Sequence, residues 1–257
     1  MGGDNGSGGG LWGDGRWWFC CFLVVVAATI FLVVLGVLKC RRRSCKLPHN
    51  GLDPQIARYI TEAGFEGLFK VPNLEVDHAL ITALVECWRP ETHTFHLPHR
   101  EMGITLQDIE VMLGVLVVGL PLTGSVKLGW PALCLELLGH RPPNLILHPH
   151  ENKSILAGAR LRFTWLEAQF RGPLAAVATD EVVQQHAHYH ILLRLGTILF
   201  MDKSADRVSV MPLQFLSPIS KANKYSWGSG ALASLYRHLC KASEMKAMQM
   251  GGTLILV

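Results

Sequence analysis

VDHALITALVECWRPETHTFHLPHREMGITLQDIEVMLGVLVVGLPLTG, residues 76–124, is the stretch on which the fold is read. Val76, Ala79, Leu80, Ala83, Leu84, Cys87 and Trp88 recur at the spacing of one helical face, so a helix is predicted there. Pro90 ends it, having no N–H to donate and crowding the preceding turn. Thr94 to Leu97 alternates as a short strand, with residues 98–103 as the turn and bend beyond. Thr105 is placed to cap a second helix, with Asp108 three residues on to favour its positive end. Leu106, Ile109, Met112, Leu113, Leu116 and Val117 supply the apolar face of that helix. The stretch specifies a helix–hairpin–helix unit and holds no recognisable reaction centre.

Working outward, the sequence predicts an amphipathic helix over 55–69 and a short helix over Trp130 to Leu138. The proline-bearing stretch 140–150 reads as an extended loop, and 154–170 and 180–200 read as helical. Residues 202–206 read as a polar turn, followed by a short strand over 207–213. Ser226 is expected to cap a last helix whose face is Trp227, Ala231, Leu232, Leu235, Tyr236 and Leu239.

The net charge of +4 divides unevenly: residues 1–46 hold six basic and two acidic residues, whereas 47–257 hold eighteen of each. The folded part therefore has no bulk electrostatic footprint for nucleic acid, which leaves only a local patch to be sought. Residues 1–16 are Gly-rich and too poor in apolar groups to offset the entropy of ordering, so a disordered tail is expected. Trp17 to Leu38 is a run of 22 uncharged, mostly apolar residues. As a helix it reaches ~33 Å, enough to cross a bilayer core. Trp17 and Trp18 suit one interface, and Lys39, Arg41, Arg42, Arg43 and Lys46 the other, with the C-terminal side facing the cytosol. A signal peptide, a buried helix or a misjoined first exon are the other readings of the run. The basic cluster reads as a stop-transfer flank attracted to anionic lipid, or as a nuclear localisation signal if the run is not in a membrane. Cys20, Cys21, Cys40 and Cys45 are positioned for palmitate.

The expected organisation is a tail over 1–16, a transmembrane helix over 17–38, a basic juxtamembrane linker over 39–54 and a domain over 55–257. The expected fold is mainly α-helical with small β-hairpins, a minor α+β mixture, preceded by the one transmembrane helix. The localisation that follows is single-pass membrane with a cytosolic C-terminal domain; the alternative is the nucleus.

The chemistry-bearing residues do not assemble into a motif. His93, His96 and His99 run along a strand and do not converge on one metal. On a helix only His186 and His190 share a face, while His188 points elsewhere, and no HExxH is present; His150-Glu151 lacks the second histidine. There is no CxxC, and Cys87, Cys134 and Cys240 fall at apolar helical positions, as reduced core residues do. Cys240 and His238 point apart and make no nucleophile–base pair. Gly228-Ser229-Gly230 lies within a helix without the preceding strand of a dinucleotide site, so it reads as close packing. GxxxxGK[ST] and GxSxG are absent. Trp88, Trp165 and Trp227 read as core side chains rather than partner anchors. Arg89 and Glu91 read as an ion pair orienting the turn at Pro90. The expectation is therefore no enzyme, with no catalytic, cofactor-binding or metal residues, no cofactor and no small-molecule substrate.

WRPETHTFHLPHREMGITLQDIEVMLG followed by GLPLTG resembles the plant mobile domain, also labelled aminotransferase-like. GWPALCLELLG (129–139), ARLRFTWLEAQF (159–170), ILLRLGTILFMDKSADRVSVMPLQFL (191–216) and YSWGSGALASLYRHLCKAS (225–243) agree with it in order, so the resemblance covers roughly residues 50–257. It implies a role in meristem development and transposon silencing through protein–protein contacts, here behind the N-terminal membrane anchor; the alternative is a soluble nuclear silencing factor associated with nucleic acid, its apparent anchor not used. A serine/threonine phosphatase of the phosphatase 7 long form type is the implied companion or partner, and no direct nucleic-acid binding is favoured. None of the ten lysines sits in a pyridoxal phosphate setting, and metallophosphatase ligand clusters are absent. In the family, GGTLILV (251–257) opens an apolar segment that continues, so a C-terminally truncated domain with exposed apolar surface is expected.

Overall fold

The computed structural model describes residues 38–40, 51–72, 76–143, 154–175, 177–203, 206–244 and 247–257. About half of these are helical, and the strands form three small sheets among the described residues. The main cluster is built on α1 (Pro54–Glu62), α2 (Glu66–Lys70), α4 (Leu106–Leu113), α5 (Trp130–Leu138), α6 (Phe163–Gln169) and α7 (Asp180–Arg194). The central helix is α7: Val183, Ala187, Ile191 and Leu192 are buried, and both α1 and α5 pack against it. It runs on into a π-helical turn, Leu195–Leu199, whose residues are all buried. Gly196 permits this, since a Cβ there would lie 2.4 Å from Val208 Cγ2.

The second cluster gathers the signature stretch. Helix α3 (His78–Glu86) leads into an antiparallel sheet of β2 (Trp88–Arg89), β3 (Thr94–Leu97) and β4 (Arg100–Met102). This sheet and α3 pack on the C-terminal half of α8 (Trp227–Ala242) through Ile81, Val85, Trp88, Phe95, Leu235 and Leu239. Helix α4 opens on a capping box between Thr105 and Asp108, as expected, and closes on Gly114 in the left-handed conformation. Arg89 does not pair with Glu91; its guanidinium donates to the carbonyls of Glu86 and Trp88. Ser226 stands at the N-cap of α8, but its hydroxyl donates to Val117 O at 2.6 Å.

The anchor reading is overturned. Among the described residues no helix is long and apolar enough to cross a membrane. Residues 1–37 and 41–50 lie outside the described residues, and with them the expected tail, most of the expected span and most of the basic cluster. Leu38, its last residue, is buried in the second cluster and donates its N–H to Thr82 Oγ1 at 3.1 Å. Lys39–Cys40, expected as linker, is strand β1, paired in parallel with β8 (Gln249–Met250). Cys40 is buried, and burial pushes its thiol up to about 11, which disfavours acylation. Among the described residues the fold class thus contains no transmembrane helix, and the single-pass membrane localisation that rested on one finds no support there. The physical reason is that an apolar run measures only the wish to leave water, and here its end finds a protein interior.

Three local expectations also change. The helix expected over 55–69 breaks into two at Gly64, at φ +79°. Residues 156–162 form a hairpin, β5 (Leu156–Ala157) and β6 (Arg160–Arg162), with β7 (Arg207–Ser209) beside β6. Gly158, at φ +59°, supplies the two-residue turn that a helix reading overlooks. Beyond β7 the chain forms a 3-10 helix, Met211–Phe215, instead of extending the strand. Gly251 to Leu254 is buried against the second cluster.

Candidate functional site

Two surfaces and one histidine cluster hold the unspent chemistry. The first surface is a cleft of about 1100 Å³ between the β5–β6 hairpin, residues 200–203, the last two turns of α8 and residues 247–250. The hairpin wall is held by Arg207, which donates to Ser154 O at 2.8 Å and to Arg160 O at 3.2 Å. The opposite wall is held by close backbone contact: a Cβ on Gly251 would lie 2.6 Å from Met201 O, and Gly252 N–H donates to that carbonyl at 2.8 Å. Phe200, Met201, Met211 and Met250 make the lining apolar, and Arg160, Lys203, Arg237 and Lys241 make it cationic. Arg160 is ion-paired with Asp202. Lys203, Arg237 and Lys241 take part in no ion pair among the described residues. His238 Nδ1 donates to Ser234 O at 2.7 Å. Burial lowers the His238 pKa first, and the charges of Arg237, Lys241 and Lys203 lower it further, although the Ser234 hydrogen bond opposes them. Three cations from two elements thus act on one ring.

The second surface is the segment from α4 to α5. Its inward residues Ile109, Leu113 and Val115 are buried, yet Val111, Val118 and Val126 are 78%, 82% and 68% exposed. Met112, Leu116, Leu120 and Leu128 are exposed as well. Gly228 and Gly230 let this segment lie close on α8, since a Cβ at either would meet Val117 or Leu122 at 2.6 Å. The close packing read from Gly228-Ser229-Gly230 is present, with a loop segment as its partner.

The histidines read from the sequence separate. His93, at φ 54°, stacks on Tyr236 with ring centroids 5.2 Å apart, while His96 reaches Glu101 at 3.1 Å. On α7, His188 is buried and its Nε2 donates to Leu216 O at 3.0 Å. His186 meets the edge of Phe170, which also touches His140 and stacks on Tyr189. Among the described residues no group of three or more His, Cys, Asp or Glu side chains could hold a metal. Cys240 Sγ accepts from Trp88 Nε1 at 3.4 Å, which ties it to the core rather than to His238. Trp88 and Trp227 are buried, and Trp165 packs against the main cluster.

These histidines make stability pH-dependent. Burial lowers the pKa of His186, His188 and His190, and lowers that of His190 to about 4 with help from the charges of His186 and Arg194. The unfolded value is near 6.5, so between the two the unfolded chain binds more protons. Stability is therefore present above about pH 6.5 and lost as pH falls toward 4. His190 alone should cost on the order of 2 kcal/mol by pH 5. Thermal melts should show a clear drop in Tm from pH 7.5 to 5.0 that shrinks in His190→Gln; a flat Tm would refute the neutral, buried assignment.

Sequence reasoning missed the cleft because its cations come from residues 160, 203, 237 and 241, and bulk charge over 47–257 is zero. The one local signal was Arg237 and Lys241, one turn apart on the outer face of the last helix.

The chain is 40% identical over 220 residues to a serine/threonine-protein phosphatase 7 long form homolog of Arabidopsis thaliana, covering 86% of this chain and 16% of that protein. It is 34% identical over 224 residues to the Arabidopsis Protein MAINTENANCE OF MERISTEMS, covering 86% of this chain and 45% of the relative. Protein MAIN-LIKE 2 of the same plant is 32% identical over 222 residues, covering 86% of this chain and 32% of the relative. The chain thus spans less than half the length of these curated relatives. No solved structure matches it. The Plant mobile domain profile matches residues 64–257, from the turn after α1 through both hydrophobic clusters, and the chain belongs to the plant mobile domain family.

Proposed function

We propose that this chain is a non-enzymatic interaction module that serves meristem maintenance and transposon silencing through contacts with a protein partner, a phosphatase 7-type protein being the candidate that its relatives suggest. The observation that carries the reading is the exposed apolar segment 111–128, with Val111, Val118 and Val126 largely in water. Scattered apolar residues need no explanation, but a succession of them along one segment marks a contact surface. The test is a photo-crosslinking amino acid placed at Val118 in the full chain expressed in plant cells, with Glu62 as a polar control site. A discrete protein adduct at 118, lost on Val111→Glu and absent at 62, is expected. Equal adducts at both positions, or none at 118, would overturn the reading.

A second reading, a nuclear silencing factor associated with nucleic acid and needing no anchor, draws on the cationic rim of the cleft. It requires DNA binding whose affinity falls steeply with salt. Weak binding with a shallow salt slope is expected instead.

A further inference from the structure

We propose that the cleft between the β5–β6 hairpin and the end of α8 binds an acidic segment of a partner protein, one with apolar side chains between its carboxylates. The site uses none of the residues of segment 111–128, so it stands apart from the contact surface already described. Charge complementarity selects the occupant. Lys203, Arg237 and Lys241 are without ion-pair partners among the described residues, and all three act on His238. Of the two carboxylates in the lining, Asp202 is neutralised by Arg160, which leaves Glu244 as the other. Three cations against one remaining carboxylate around one opening favour an anionic ligand and raise its encounter rate.

The lining decides what kind of anion. Phe200, Met201, Met211 and Met250 form an apolar base, with Met248 standing 72% exposed at the rim. Methionines adapt to varied apolar side chains, which suits a peptide better than a bare phosphate. A single inorganic anion would leave most of a cleft of about 1100 Å³ unfilled. Single-stranded nucleic acid needs exposed aromatic faces for its bases. Phe200 is the lining's one Phe, Tyr or Trp; it is half-buried and its ring already packs toward Trp227, centroids 6.5 Å apart, while the His238 ring is tied to Ser234 O. Arg237 and Lys241 lie one helical turn apart, roughly 6 Å between their Cβ atoms. Alternate residues of an extended chain are separated by about 6.6 Å. A segment with carboxylates at alternate positions therefore meets both cations with one face and the methionines with the other.

The experiment uses the full chain and fluorescein-labelled peptides of twelve residues followed by anisotropy. The probe alternates Glu or Asp with Leu and Met; controls replace the apolar residues by Ser, or the acids by Lys, and a fourth probe is a single-stranded DNA oligonucleotide. Saturable binding of the acidic amphipathic peptide is expected, weakened by salt and by at least about tenfold in the double variant Arg237→Glu, Lys241→Glu. Both side chains are exposed, so the variant should melt like the parent. It should also bind the Lys-substituted peptide better than the parent does, which shows an intact cleft of reversed charge. Undiminished binding by the variant, equal binding of the Ser control, no binding of the acidic peptide, or tighter binding of the oligonucleotide would each overturn the proposal. Because residues 111–128 are untouched, such a failure is distinct from a failure of the photo-crosslinking test.

Discussion

Trp88→Ala is expected to destabilise the chain by about 3–5 kcal/mol, enough to unfold much of a marginally stable domain near physiological temperature. Trp88 is 1% exposed and stands where β2 meets α8. Its ring contacts Phe95 edge-on at a centroid distance of 4.9 Å and Tyr236 at 5.4 Å. Removing it takes away the surface against which the β2–β3–β4 sheet packs on the helix. The loss extends beyond area, because Tyr236 is held there by its hydroxyl, which donates to Ile104 O at 2.6 Å. Trp88→Phe keeps an aromatic ring but forfeits the indole bond to Cys240, so it should cost roughly half as much or less. Urea denaturation followed by circular dichroism would read both. A Trp88→Ala midpoint equal to that of the parent would show that the signature stretch is not structural and would return Trp88 to the list of partner anchors.

Gly67→Ala should be nearly as damaging, at about 3 kcal/mol or more, for a different reason. A Cβ on Gly67 would sit 2.5 Å from Gly114 O and 2.6 Å from Gly114 Cα. Both obstacles are backbone, so no rotamer change relieves the overlap; α2 and the end of α4 must move apart. Gly114 has a second constraint, since it closes α4 at φ +60°, where a side chain is strained. Gly172→Ala is the control: nothing lies within 4 Å of its added Cβ and its φ is not positive. Thermal melts should place Gly172→Ala within about 0.5 kcal/mol of the parent and Gly67→Ala far below it. Indistinguishable melts for the two would refute the backbone contact between α2 and α4.

Residues 76–124 show how far local chemistry reaches. Asp77 and Thr105 cap their helices, Gly114 closes the second, and Phe95 turns inward from its strand, whereas the first helix stops at Glu86, short of Pro90, and Trp88–Arg89 is already strand. Each of these depends on neighbours within a few residues, and so does the short helix at Trp130–Leu138, closed by Gly139 at φ +70°. Where two local patterns competed, the reading failed. Residues 154–162 carry apolar groups compatible with either period, and the positive φ of Gly158 together with β7 alongside made them a hairpin.

Local sequence carries the order helix, hairpin, helix, the family and the core roles of Trp88, Cys134 and Trp227, but not the buried faces: Ile81, Thr82 and Val85 are buried where Leu80 is 54% exposed, and Met112 on the second helix is 50% exposed. Tertiary structure alone decided the rest. Lys39–Cys40 finds β8 more than two hundred residues away, and that pairing takes Leu38 into a protein interior. The cleft likewise draws its cations from three separate elements, so no window of sequence contains it and a net charge of zero over 47–257 conceals it. Caps, turns and apolar periods are set by interactions within one or two turns of chain. Lipid or protein as the destination of an apolar run, and the convergence of distant charges, depend on which surfaces meet after the chain has closed.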